Sequence, residues 1–516
     1  MKPFVHKKII YTVPALCLLL SAFGAVGANA AGTTAKETTD GAVVEVFSGG
    51  ELKSKTEFDT VSEAWKNAVS VANKTDETVI TLGEDWTEDE SLTIKYGQHI
   101  TLDLNGHYIK RNRNHDMVSD GNVFKVQQMA VFTLRDSNPK SAGYDGIKGG
   151  VITGGASSNS GGGVHIEEFG KFYMEGGTIY DCITNADGGG VNVYGNTTDT
   201  KFIMTGGRIY SCKTVDSANN CYGGGVYMEK GEVNISNAKI DDCYSEDDGG
   251  AIYSERGTIT LKNVVFTGNK AHEDGGAICT ALDSYQNIAT TLNAYDCTFA
   301  NNHADENGGA VKINDNPADG KAVVFHNCKF RNNDAVKKGG AVYINDDNIA
   351  LSSCEIVKNS AGEEGGGVFV DDRYNITLKG LMTIKDNTSD KGNGVADLAL
   401  EDGNMGTARI INGGLYKNSY VRVGSTSEKS VLISEWMSQY QMQYFRADEG
   451  TLSAKDLREV DATMVVTASI FSEGGIYAIV IIGSAGIIGT VMLIIYKKRK
   501  DKVSEGGKEY DDNEES

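Results

Sequence analysis

The chain has 516 residues and a formal net charge of -21, an acidity that excludes nucleic acid as a partner and favours a soluble bulk. Only Pro139 and Pro317 occur beyond residue 30, so no Leu-Pro-x-Thr-Gly signal can direct covalent attachment to a cell wall. Nine cysteines are present, eight of them between Cys182 and Cys354.

Residues 1–30 read as a secretory signal peptide. Lys2, Lys7 and Lys8 precede an apolar run through Leu16 and Leu20, and Ala28-Asn29-Ala30 fits the small-x-small cleavage rule. Cys17 leaves with this segment, and the even number that remains permits disulfides in an exported protein. Residues 31–58 form a lead segment. Val61, Ala64, Trp65, Ala68, Val69 and Ala72 then fall on one helical stripe, with Thr60 and Glu63 spaced as a capping box. This helix is expected to lie over an open sheet edge as a plug.

Short alternating runs follow at Val79–Leu82, Leu92–Ile94 and Ile100–Leu104. From residue 162 onward a phrase of two glycines and an apolar strand recurs. Copies begin at Gly162, Gly189, Gly224, Gly249, Gly275, Gly308, Gly339 and Gly366, with a worn one at Gly392, at intervals of about 26 to 35 residues. Each unit holds three apolar runs: one after the glycines (Val226-Tyr227-Met228), one of the form Ile-x-Leu (Ile259-Thr260-Leu261), and a lone large residue followed three later by Asn or Cys (Phe266/Asn269). Such strands cannot bury themselves singly. Stacked about 4.8 Å apart they enclose a continuous interior. The predicted fold is all-β: a right-handed parallel β-helix over 59–424, its hand following from the chirality of parallel connections.

The phase of the repeat gives individual residues meaning. Asn269, Asn302, Asn333, Asn359 and Asn387 fall on one line, where Asn suits a left-handed turn and its amide can bond from coil to coil. Cys182, Cys212 and Cys243 occupy that line in earlier coils. Cys297, Cys328 and Cys354 form a second file. Adjacent coils lie within disulfide range, but three thiols in a row cannot all pair, so both files read as small buried residues. Cys221 lies in an insertion, where pairing is more open. The glycine pair implies either a positive φ or no room for a Cβ.

Beyond the strong repeats, Ile410–Gly414 reads as one more coil, and 425–471 as a cap or juxtamembrane module holding Trp436, Tyr440, Tyr444 and Phe445. The run 476–496 is long enough to cross about 30 Å of hydrocarbon. Lys497-Lys498-Arg499-Lys500 would hold the tail, 497–516, in the cytoplasm and leave the bulk outside. Association with the membrane is therefore expected through this helix.

Phe266-x-x-Asn269 with Gly275-Gly276-Ala277-Ile278, and the equivalents at Phe299/Asn302 and Phe330/Asn333, resemble the repeats of chlamydial polymorphic outer-membrane proteins. Ile100–Ile109 resembles the entry coils of bacterial pectate-lyase-like proteins. The first resemblance implies a β-helical passenger with a role in adhesion. That family ends in an outer-membrane barrel, whereas this chain ends in a single apolar run.

Alternation places His165, Asn192, Tyr227, Tyr253, Cys279, Lys312, Tyr343 and Phe369 on the outer side of the first strand of each coil. Tyr227 with Tyr253, and Tyr343 with Phe369, would form stacked aromatic pairs on an exposed face suited to a glycan or a peptide, or ladders that only stabilise the sheet. Asp315, Asp346 and Asp372 align just beyond, near Lys312 and Arg373. They could hold calcium or serve as carboxylates at the roughly 5 Å spacing of retaining glycosidases. Acidic residues crowd many other turns of this chain as well. The expected function is adhesin-like binding of an extracellular glycan or protein. The alternatives are a membrane-tethered polysaccharide lyase or hydrolase, and a passive spacer.

Overall fold

The computed structural model describes residues 41–447, apart from 217–219, 282–288, 315–321, 347–348, 373, 392–394, 402–407, 427–431 and 435–442. The expected signal peptide, the membrane run 476–496 and the tail lie outside these residues. No helix among the described residues is long and apolar enough to cross a membrane.

The described chain is a parallel β-solenoid of about ten turns. Two successive coils show the scheme. Val226–Ser236, Lys239–Asp241 and Tyr244–Ser245 pair in parallel with Ile252–Lys262, Val265–Thr267 and Lys270–Ala271. Val226 stacks on Ile252, Ile235 on Leu261 and Ile240 on Phe266. The inward side chains are fully buried. Among them, Phe266, Phe299 and Phe330 form a ring stack with centroids 4.9 and 4.7 Å apart. Phe132, Phe172 and Phe202 form another at 5.3 Å for each step.

From residue 156 onward the coils also carry a fourth segment that hydropathy does not reveal. Nine two-residue strands, from Ala156–Ser157 to Thr388–Ser389, make a narrow sheet of their own. Two residues are too few to display alternation, and the inward ones are small: Thr184, Thr214, Ser245, Ala271, Ala304 and Ala335.

The two glycines of the repeat answer to different constraints. Gly249 has φ +68°, a conformation that costs other residues steric strain. A Cβ on Gly250 would overlap the carbonyl oxygens of Gly276, one coil on, and Lys270. Strain excludes a side chain at the first position and the neighbouring coil excludes one at the second.

The asparagine file is a continuous hydrogen-bonded ladder. Asn302 Oδ1 accepts the backbone N–H of Asn269 at 3.1 Å and its Nδ2 at 3.0 Å. The same double bond recurs from Asn302 to Asn333, Asn333 to Asn359 and Asn359 to Asn387. Each Nδ2 gives a further bond to a carbonyl of an earlier strand, such as Asn333 to Phe299 at 3.0 Å. Asn387 ends the series on a carboxylate: Asp397 Oδ1 accepts its N–H at 2.9 Å and its Nδ2 at 2.7 Å. The left-handed residue is not the ladder asparagine but the one before it: Asn301 (φ 57°), Asn332 (53°) and Lys358 (59°).

All eight described cysteines are buried and none is in a disulfide. Cys243 runs into the asparagine ladder, its N–H donating to Asn269 Oδ1 at 3.1 Å. The second file ends on a thioether, with Cys354 N–H donating to Met382 Sδ at 3.3 Å. These files are packing positions in the turns. Burial pushes the Cys221 thiol up to about 12.

At the N-terminal end, helix α1 (Val61–Val71) is capped as expected, Thr60 Oγ1 accepting the Glu63 N–H at 3.3 Å. Val61, Ala64, Trp65 and Ala68 are buried, and the Trp65 ring lies 6.0 Å from that of Phe124. The lead segment, to which no strand was assigned, contains a hairpin of β1 (Ala42–Ser48) and β2 (Glu51–Phe58) turned at Gly49-Gly50. β1 pairs antiparallel with β3 (Asp76–Leu82), so the first coil does not expose its edge there.

At the other end the register outlasts its expected limit of 424. Leu432–Ser434 pairs with Arg409–Ile411, and Phe445–Ala447 with Val421–Val423. Phe445 is buried in the core, while Trp436 and Tyr440 lie outside the described residues.

Asn333→Ala would strand the N–H and Nδ2 of Asn302 and the carbonyl of Phe299. Buried groups left unsatisfied cost about 1–3 kcal/mol each. The Asn302 amide should therefore exchange its hydrogen roughly 100-fold faster, with amides in distant coils little changed. Native-state hydrogen exchange reads this directly, and an unchanged rate would mean that the ladder carries little energy.

Candidate functional site

The outer row of the first strands stacks in the expected register: Tyr227 on Tyr253, Cys279 on Lys312, Tyr343 on Phe369. The Tyr227 and Tyr253 rings lie 5.9 Å apart and 5° from parallel; Tyr343 and Phe369 lie 5.3 Å apart at 13°. The exposed face expected there is absent. Tyr227 and Tyr253 are 6% exposed and Phe369 is 0% exposed.

Loops cover the row. Tyr222, at the end of the 213–222 insertion, stacks on Tyr253 at 4.2 Å. Val395 and Ala399 pack against Phe369, and Lys338 Nζ sits 4.3 Å above its ring. Both phenols are tied down, Tyr227 donating to Glu255 and Tyr343 to Asp371, each at 2.6 Å. These residues form stabilising ladders.

Of the predicted carboxylate group, Asp315 and Arg373 lie outside the described residues. Asp346 and Asp372 are buried, at 3% and 8% exposure. Among the described residues no group of three or more His, Cys, Asp or Glu side chains is arranged to hold a metal ion. Lys312 is engaged elsewhere, in an ion pair with Asp274.

A different pair of carboxylates does meet. Val370 stacks on Leu400, so the next residues, Asp371 and Glu401, face one another one coil apart. Lys338 Nζ donates to Glu401 Oε1 at 3.1 Å. Burial and the hydrogen bond with Asp371 push Glu401 from its ordinary 4.5 up to about 7. Burial would raise Asp371 too, but hydrogen bonds with Glu401 and Tyr343 outweigh it and lower that group. One proton shared by two carboxyls beside an ammonium can serve acid–base chemistry. The sequence signal was present but displaced by one residue, at Asp371 rather than Asp372.

A second set of half-exposed aromatic residues lies on another face. Tyr108, Tyr144, Tyr180 and Tyr210 form a chain with centroid steps of 4.8, 6.4 and 5.3 Å. Arg208 lies 3.6 Å over the Tyr210 ring, and Tyr180 donates to Asp145 at 2.9 Å. Sequence reasoning missed this row because Tyr144 enters from a loop.

Residues 263–281 and 296–314 match the Chlamydia polymorphic membrane protein repeat. Each matched stretch of that repeat runs from the third strand through the ladder asparagine and the glycine pair into the next first strand. Phe266, Asn269, Gly275 and Gly276 in one copy have Phe299, Asn302, Gly308 and Gly309 as counterparts. All are interior or turn residues, so the repeat describes how a coil is built. No curated protein and no solved structure matches the chain.

The Glu401 shift has a pH consequence. Its folded-state value is raised, so its contribution to stability is fully present below the unfolded value of 4.5 and is lost as pH rises toward about 7. Asp371 acts oppositely, its contribution disappearing as pH falls below the ordinary 3.8. Glu401→Gln should therefore flatten the fall in urea midpoint between pH 4.5 and 7. Identical slopes for variant and wild type would show that Glu401 is not the group responsible.

Proposed function

We propose that this chain is a cell-surface β-solenoid that binds an extracellular glycan or protein. The repeat match supports placement at a bacterial envelope surface. The observation that carries binding is the half-exposed row Tyr108–Tyr144–Tyr180–Tyr210 with its flanking Lys110, Arg208 and Asp145. Rings held by parallel strands, with Tyr144 added from a loop, bury area at low entropic cost, and their hydroxyls and neighbouring charges supply hydrogen bonds. Anchoring through 476–496 belongs to the same reading.

Screening the purified protein against glycan and host-protein arrays should return a ligand. Loss of a central aromatic contact costs about 2 kcal/mol, so Tyr180→Ala or Tyr210→Ala should weaken binding roughly 30-fold. Tyr227→Ala, whose ring is covered, should act through stability alone. Undiminished binding by the Tyr180 and Tyr210 variants would remove this face from consideration.

The Asp371–Glu401 pair favours a second reading, cleavage of an acidic polysaccharide. Turnover abolished by Asp371→Asn and by Glu401→Gln, with folding intact, would establish it. No turnover by the wild type on a panel of uronate polymers would dismiss it.

A further inference from the structure

Lys312, Asp274 and Asp248 form a buried group that the binding face does not use. Lys312 Nζ is paired with Asp274 Oδ2, and the two side chains are 15% and 8% exposed. The other oxygen of Asp274 is held by two donors from one residue: Asn307 N–H at 2.8 Å and Asn307 Nδ2 at 3.1 Å. Asp248 Oδ1 accepts the backbone N–H of Asp274 at 2.9 Å, and its carboxyl feels the charges of Asp274 and Lys312. The Tyr343 ring centroid is 5.7 Å from Lys312 Nζ, and Cys279 is its neighbour in the row.

We propose that Lys312 and Asp274 form an intramolecular isopeptide bond, with Asp248 as the proton carrier. The parts match what amide formation requires. The amine and the carboxyl carbon are held together in a site with little water, where proximity replaces a bimolecular encounter. The two Asn307 donors aim at Oδ1, the oxygen that gains charge when Nζ adds to Cγ. Burial and Asp274 push Asp248 up to about 7, a value suited to taking and returning a proton. Burial opposes the charge on Lys312, but Cys279, Asp274 and Asp248 outweigh it. The resting state is therefore an ion pair, and reaction begins when a proton leaves Nζ.

The step balances without a co-reactant. Nζ gives up two protons, the Nζ–Cγ bond forms and the Cγ–Oδ2 bond breaks. Oδ2 leaves with those protons as one water, and nothing is oxidised or reduced. The product ties the strand Val311–Ile313 to the turn 38 residues earlier, on the preceding coil. It is a covalent staple between coils in a solenoid whose described cysteines form no disulfide.

Peptide mapping of the purified full chain by tandem mass spectrometry tests this. A linked species should contain the Asp274 and Lys312 peptides at their summed mass less one water, with trypsin failing to cut after Lys312. Lys312→Arg keeps the ion pair and should abolish the link. Asp248→Asn keeps the acceptor for the Asp274 N–H, so the coil should fold with the link lost or strongly slowed. Separate, unlinked peptides from the wild type, with normal cleavage at Lys312, would reduce the group to an ion pair. Full linkage in Asp248→Asn would overturn the role given to Asp248.

Discussion

Each coil must return the chain to the same phase one strand spacing above its start, and everything else in the molecule follows from the turns that enforce this. Backbone bonds pass from one glycine turn to the next up the column: Gly249 to Asp274, Gly250 to Gly275, Gly276 to Gly308. Once phase is kept, a side chain that suits one coil suits the next. Phenylalanine stacks on phenylalanine and amide on amide. Such cohesion is nearest-neighbour in kind, so the ends pose the difficulty. The antiparallel hairpin and helix α1 meet it at one end. Within the ladder, Asp397 meets it by chemistry. An asparagine at its end would turn an Nδ2 donor toward Arg422, whose Nε lies 3.2 Å from Asp397 Oδ2. A carboxylate accepts the Asn387 bonds on one oxygen, holds the other beside the guanidinium, and closes the series.

Repetition explains what could be read from the sequence. The glycine pair, the lone Phe266 or Phe299 and the asparagine three residues later are each weak signals. At constant phase they reinforce one another, and the coil scheme follows. Features without a repeated apolar signature escaped. The two-residue strands are too short to alternate. The left-handed residue before each ladder asparagine varies among Asn, Lys, Asp and Gly, so no residue type marks it. β2 is polar along most of its length, and only the Gly49-Gly50 pair advertised its turn.

The candidate sites were less legible for a related reason. Alternation states which way a side chain points but not whether anything lies over it. Tyr227 and Tyr253 do point away from the interior, yet Tyr222 and the adjoining turns cover them. Tyr180 and Tyr210 stay half-exposed although the loop carrying Tyr144 reaches Tyr180, a fact of loop placement. The carboxylates show a sharper limit. Asp371 and Asp372 are adjacent, and only one meets Glu401. Both lie in the turn just after Val368–Val370, where a one-residue displacement decides which carboxyl is aimed at the next coil.

The surface obeys the same stacking geometry with the opposite preference. Like apolar groups about 4.8 Å apart attract, whereas like charges at that distance repel, so the exterior pairs unlike with unlike. Lys201 stacks beside Glu232 and His303 beside Asp334. Where two cations do stack, as Arg208 on Lys239, both turn to Asp241, which is 1% exposed. A net charge of -21 leaves more carboxylates than cations to neutralise them, and some must be accommodated by protonation or by sharing. Asp187, pushed up to about 6 mainly by burial, and Glu401, about 7, are where that excess meets the covered outer row. Burial of the outer row is therefore what turns these carboxyls, out of an acidic whole, into holders of a proton.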